Sequence, residues 1–145
     1  MTLWFADRSP QQACRLLAES RFESVEFELL VSAAECAAQR ASVPVAIHSN
    51  HGRDTQSALR AINGGCNGVM VDASRCELGR NISVPGAVVA MARACGVPVE
   101  GALGCVPETE GDAAQANPED VVFTAVAEAQ GFVDRTGVDF LAVSI

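Results

Sequence analysis

The chain has 145 residues, of which 49% are apolar and 19% charged, and its formal net charge is −8. That length buries roughly 70% of the unfolded surface, enough for one ordinary domain. All ten basic residues are scattered arginines, so no basic patch is built for phosphates and no nucleic-acid partner is expected; the absence of lysine and tyrosine excludes a Schiff base or a catalytic phenol within this chain.

In chain order, Leu3-Trp-Phe-Ala6 is a candidate strand, and Ser9-Pro10 opens a helix. Glu26 to Arg40, rich in Ala, Leu and Glu, is strongly helical. Val43-Pro-Val-Ala-Ile-His48 is a short apolar run with β-branched residues, the pattern of a buried parallel strand. Asp54 can cap a helix carrying Ala58, Leu59, Ala61 and Ile62 that stops at Gly64-Gly65. Gly68-Val-Met-Val-Asp72 is the next strand. Ser83 precedes a helix with Val84, Val88 and Met91 on one face, which Gly96 ends. Val97-Pro-Val-Glu-Gly-Ala-Leu103 is a further strand. Asn117 and Pro118 open a helix over about 118–136, with Gly131 as an internal weakness. Val138-Asp-Phe-Leu-Ala-Val-Ser-Ile145 is the last strand.

Four or five β-α units without a long linker predict one α/β domain with a parallel sheet. The sheet can be doubly wound or belong to a barrel. A complete eight-unit barrel takes about 250 residues, so this chain holds about half the units. Its arrival at Ile145 inside an apolar strand, with no polar cap, predicts that it is incomplete. Met1 to Arg8 lacks the basic start and apolar run of a signal peptide, so none is expected; no Cys-x-x-Cys occurs among the six cysteines, and no apolar run approaches the ~20 residues of a membrane helix. Reduced, mostly buried thiols in a soluble cytoplasmic protein are expected.

In parallel α/β folds ligands bind beyond the carboxyl ends of the strands. Those ends carry His48-Ser-Asn-His51-Gly52, Asp72-Ala-Ser74, and Glu100 followed by a loop with Glu108 and Glu110. Imidazoles with carboxylates on one face are zinc-type donors. His-x-x-His off a helix is a weak signal, and the spacing alone favours a loop or helix-capping role for His51. Asp72 and Glu100 can equally cap a helix or pair with Arg53, Arg75 or Arg80. The Gly104 to Gly111 loop is either a lid or a solvated connection.

Four motifs in order resemble the class II, metal-dependent ketose-bisphosphate aldolases. Ala41-Ser-Val-Pro-Val-Ala-Ile-His-Ser-Asn-His-Gly52 resembles that family's A-S-V-P-V-A-L-H-L-D-H-G. Gly68-Val-Met-Val-Asp-Ala-Ser74 with Asn81-Ile82 is similar to S-V-M-I-D-G-S and E-N-I. Gly96-Val-Pro-Val-Glu-Gly-Ala-Leu-Gly104 is similar to G-V-S-V-E-A-E-L-G, and Thr136-Gly-Val-Asp-Phe-Leu-Ala-Val-Ser-Ile145 to T-G-V-D-x-L-A-V-A-I. The match covers about residues 26–145.

The resemblance implies that residues 1–145 form a single partial domain, about half of a TIM (β/α)8 barrel. It implies reversible, zinc-dependent aldol cleavage of a ketose 1,6-bisphosphate to dihydroxyacetone phosphate and an aldehyde, in carbohydrate metabolism. By position, His51 falls on a histidine that ligates the catalytic zinc, and Asp72 on a carboxylate of a second metal position. Glu110 falls near the loop glutamate that acts as base. The sequence also departs from the pattern. Asn50 stands where the family has the aspartate that donates a proton to the leaving alkoxide, and an amide cannot do so. Ala102 replaces a metal-associated glutamate, and Ser49 and Ala73 are milder changes. The family's other two zinc histidines and its phosphate-binding loops fall beyond Ile145, leaving one of three histidine ligands. Three readings follow: an aldolase working as a homo-oligomer or with a complementing chain on a phosphorylated ketose; a truncated, inactive relic or non-catalytic subunit; or a different α/β enzyme that keeps only the scaffold.

Overall fold

The computed structural model describes the backbone of residues 2–5, 14–15, 24–104 and 123–145, and the side chains from Phe27 onward within those spans. The elements run β1 (Thr2–Phe5), β2 (Cys14–Arg15), α1 (Ser24–Gln39), β3 (Val45–Gly52), α2 (Thr55–Asn63), β4 (Gly68–Val71), α3 (Leu78–Arg93), β5 (Val99–Leu103), α4 (Val126–Thr136) and β6 (Phe140–Val143). They make one six-stranded sheet in the order β2-β1-β3-β4-β5-β6. Strands β3 to β6 are parallel and sequential, each joined to the next through a helix.

Strand periodicity decides which face the helices cover. Side chains alternate across a strand, and Ile47, Val69, Val71 and Val99 join Phe27 and Val31 of α1, Ala58 and Ala61 of α2, Val88 and Ala92 of α3 and Phe132 of α4 in one buried cluster. All four helices therefore lie on one face of the sheet. A doubly wound sheet carries helices on both faces, whereas a barrel segregates them outside and turns the other face inward. The inward face carries His48, Gly68, Met70 and Glu100, which neighbour one another through the strand register.

Local chemistry sets most of the boundaries. Asp54 Oδ1 accepts from the Ser57 amide at 2.8 Å, while the Ser57 hydroxyl lies 3.1 Å from the Asp54 amide, closing the first turn of α2. Gly137, at φ 70°, supplies the left-handed residue that ends α4, its amide reaching Val133 O at 2.8 Å.

Several boundaries differ from the sequence reading. Helix α3 starts at Leu78, before Ser83, and runs through the fully buried Pro85. Its opening bond joins the Asn81 amide to Glu77 O at 2.9 Å, and burial of Val88, Val89 and Ala92 outweighs the helical bond that proline cannot make. Helix α4 starts at Val126 and not near Pro118, because Thr124 is bonded to the ends of β5 and β6. The Thr124 hydroxyl donates to Leu103 O at 2.8 Å and its amide to Ser144 O at 2.9 Å. Residues 118–122 lie outside the described residues. Strand β1 pairs with β3 antiparallel, and β2 pairs with β1 antiparallel, so the sheet is mixed. Cys14–Arg15 is strand where the helix from Ser9-Pro10 was expected; residues 9–13 are outside the description. Among the four cysteines with described side chains, all free thiols, Cys66 alone is buried. Cys36, Cys76 and Cys95 are exposed, contrary to the expected burial, since Cys36 points outward from α1 and the other two lie beyond the ends of α3.

Candidate active site at the carboxyl ends of the strands

The carboxyl end of β3 is irregular. His48 opposes Gly68 and Ser49 opposes Val69, but Gly52 opposes Val71, so β3 spends one residue more than β4 over the same stretch. That extra residue is a β-bulge, which bends a strand and re-aims its side chains. His51 sits in it with φ 52°, the one non-glycine residue with positive φ among the described residues. Left-handed backbone costs a β-carbon residue on the order of 1 kcal/mol. Gly52 completes the turn, where a Cβ would lie 2.9 Å from Met70 O. The amide of Asp72, just beyond β4, donates to Gly52 O at 2.8 Å and fastens the bulge to the neighbouring strand end.

The side chains repeat that link. His51 Nδ1 lies 2.8 Å from Asp72 Oδ2. The other carboxylate oxygen, Oδ1, accepts from the Ser74 hydroxyl at 2.6 Å and the Ser74 amide at 3.0 Å. Burial alone pushes the Asp72 pKa up, but the hydrogen bonds from His51 and Ser74 outweigh it and hold the group at about 2, from 3.8. Asp72 is therefore a carboxylate at neutral pH. The His51 ring is 40% exposed and Asp72 24%, so the pair has its carboxylate inside and its imidazole outside. Asn50 precedes His51 in the bulge and is half-buried.

A second pair lies deeper. His48 Nε2 is 3.0 Å from Glu100 Oε2, although the ring nitrogen is not aligned for a hydrogen bond. These residues stand on β3 and β5 and meet across β4 because Gly68 has no side chain: a Cβ there would lie 2.6 Å from His48 Nδ1. The expected convergence is thus real but divided. His51 pairs with Asp72 and His48 with Glu100, and among the described residues neither carboxylate is paired with Arg53, Arg75 or Arg80. Glu108 and Glu110 lie outside the described residues.

Beside Ser74, a cavity of about 230 Å³ opens between the amino end of α3 and the amino end of α4, with Asn81, Leu103 and Thr124 in its wall. The Asn81 amide group donates to Ala102 O at 3.1 Å and ties α3 to the end of β5. Two contributors were not legible as such. Gly68 is the slot for His48, signalled only by a glycine at the head of a β-branched run. Thr124 is the clamp on β5 and β6, and nothing in its surroundings in the sequence marks it.

The resemblance implies a zinc ion, which the residues at the strand ends would have to ligate. Among the described residues no group of three or more His, Cys, Asp or Glu is placed to hold a metal ion. Both Asp72 oxygens are engaged by polar groups of this chain, and position 102 offers a methyl group. A zinc ion needs three or four such ligands, and the described residues do not supply them by themselves.

Known proteins agree with the fold. The family profile described as "Fructose-bisphosphate aldolase class-II" matches residues 11–145, starting earlier than the motifs at 26 onward suggest. Fructose-bisphosphate aldolase of Thermus caldophilus is 41% identical over 108 residues, which is 74% of this chain and 35% of that protein. The Geobacillus stearothermophilus protein of the same name is 38% identical over 104 residues, 72% of this chain and 35% of its own. The crystal structure of the YdjI aldolase from Escherichia coli K12 superposes with a TM-score of 0.68 at 34% identity, covering 82% of this chain and 39% of that one. The chain thus spans about a third of the length of the curated relatives it matches. Its four parallel β/α units correspond to about half of a TIM barrel, and the chain belongs to the class II fructose-bisphosphate aldolase family.

Proposed function

We propose that residues 1–145 are one partial barrel domain of a class II ketose-bisphosphate aldolase, acting in the cytoplasm in reversible aldol cleavage of a phosphorylated ketose. The observation that carries this reading is the His51–Asp72 pair, 2.8 Å apart at the carboxyl ends of adjacent parallel strands, in a chain whose family is known for that reaction. Barrel enzymes build their sites at that end of the sheet. In this reading His51 presents its imidazole toward a zinc ion whose other ligands lie outside the described residues. Asp72 is the carboxylate associated with a second metal position, and Glu110 is the general base. Zinc, when bound, supplies Lewis-acid polarisation of the substrate ketone.

What this chain's own groups do is constrained by Asn50. In the cleavage direction the substrate hydroxyl loses its proton as the adjacent carbon–carbon bond breaks; in the synthetic direction the alkoxide must regain one. Asn50 can donate a hydrogen bond to that oxygen but cannot release a proton at neutral pH. Loss of general acid–base help at one atom costs about 10²–10⁴-fold in rate. That single residue favours the second reading, a truncated, inactive relic or non-catalytic subunit.

The deciding experiment uses the protein as its source makes it, together with whatever chain accompanies it. Cleavage of fructose 1,6-bisphosphate and tagatose 1,6-bisphosphate is followed with zinc and after chelation. Turnover that His51→Ala abolishes, and that Asn50→Asp raises by about 10²-fold or more, supports the aldolase. No turnover of either sugar, and none recovered by Asn50→Asp, leaves the non-catalytic subunit.

A further inference from the structure

The His51–Asp72 contact carries a second conclusion, which rests on His51 being the functional imidazole. The bulge places His51 where regular strand geometry no longer fixes the direction of its ring. Something else must hold it, and His51 Nδ1 lies 2.8 Å from Asp72 Oδ2. That carboxylate is itself immobilised. Ser74 donates twice to Oδ1, at 2.6 Å and 3.0 Å, and the Asp72 amide is bonded to Gly52 O at 2.8 Å within the same bulge. Side chain and main chain of one residue therefore grip the two consecutive residues His51 and Gly52.

We propose that Asp72 is a positioning residue that acts through His51: it fixes the ring orientation and places the imidazole proton on Nδ1, leaving the lone pair on Nε2. The chemistry follows from donor and acceptor inventory. An ionised carboxylate has no proton to give, so a hydrogen bond between Asp72 Oδ2 and His51 Nδ1 exists only when the ring nitrogen is the donor. Neutral imidazole has one N–H, and the other nitrogen then carries the basic lone pair. A histidine that ligates a metal through one nitrogen is commonly oriented by a carboxylate on the other. The residue assigned by resemblance to a metal position thus serves the imidazole beside it, and the methyl group at Ala102 removes the other carboxylate that resemblance places there.

The test uses the metal-free chain labelled with 15N-histidine. The protein has two histidines, His48 and His51, and His48→Gln assigns their signals. Two-bond and three-bond 1H–15N correlations, recorded at a pH where imidazoles are neutral, report which nitrogen carries the proton. His51 should be predominantly the Nδ1–H form. In Asp72→Ala its Nδ1–H to Nε2–H ratio should fall about tenfold or more, the scale of one charge-assisted hydrogen bond, while the His48 signals stay in place. A wild-type His51 in the Nε2–H form overturns the proposal without any variant, and so does an unchanged ratio in a folded Asp72→Ala protein. If that variant does not fold, the wild-type tautomer decides alone. Neither zinc nor sugar phosphate enters the measurement, so a failure to cleave ketose bisphosphates would sink the aldolase reading and leave this result standing.

Discussion

At the scale of single residues, the site depends on two glycines and one carboxylate. Gly68 leaves open the space that the His48 ring occupies, and a Cβ there would meet Nδ1 at 2.6 Å. Gly68→Ala is expected to push His48 away from Glu100 and to destabilise the fold by about 1–3 kcal/mol, read as a lower urea midpoint at an unchanged slope. Asp72 gives the fold an acid limit. Its pKa is depressed from 3.8 to about 2, so its contribution to stability is complete above the unfolded value and disappears as pH falls through the folded one. That contribution is about 2 kcal/mol. Unfolding free energy should therefore drop between about pH 4 and pH 2, and Asp72→Asn should flatten that part of the curve. A wild-type curve as flat as the variant's would show that the Ser74 and His51 bonds do not hold the charge. The candidates themselves were legible, because only a few polar residues stand where parallel strands end. Their pairing was not, since it depends on a bulge and on Gly68, and neither leaves a periodic trace.

At the scale of elements, sequence and structure agree wherever the signal is local. Asp54 before an amphipathic stretch and Gly64-Gly65 after it bracket α2, and the helix spans Thr55–Asn63 between them. Asp54→Ala should cost about 1 kcal/mol, visible as a lower thermal midpoint. The starts of α3 and α4 fall elsewhere because their determinants are distant in sequence. Asn81 is buried against Ala102 O, and Thr124 is bonded to residues 21 and 20 positions away. Thr124→Val keeps the shape but removes the hydroxyl that donates to Leu103 O and accepts from the Ser144 amide. It should therefore speed amide exchange at Ser144, while exchange within α2 stays as it was. Strand β1 was legible as a strand, but its antiparallel direction was not, because periodicity carries no direction.

At the scale of the whole molecule, the described strands end at β2 on one side of the sheet and at β6 on the other. On β6, Phe140 and Val143 are exposed, 60% and 43%, with β5 as the only described neighbour. An open apolar edge offers unpaired backbone groups to another chain. Sedimentation velocity should accordingly show a weight-average mass that rises with concentration, and Phe140→Lys with Val143→Lys should suppress the rise; a constant mass across concentrations would count against it. The bulge has an implication for how this sequence can change. Deleting Asn50 would restore continuous residue-for-residue pairing between β3 and β4 and release His51 from its left-handed backbone, so the sheet would gain regularity. The same deletion would shift the phase of the following side chain and withdraw the imidazole from Asp72. Mutational repair of the sheet and preservation of the site are therefore opposed here, and a screen that selects on thermostability alone should enrich the shortened strand.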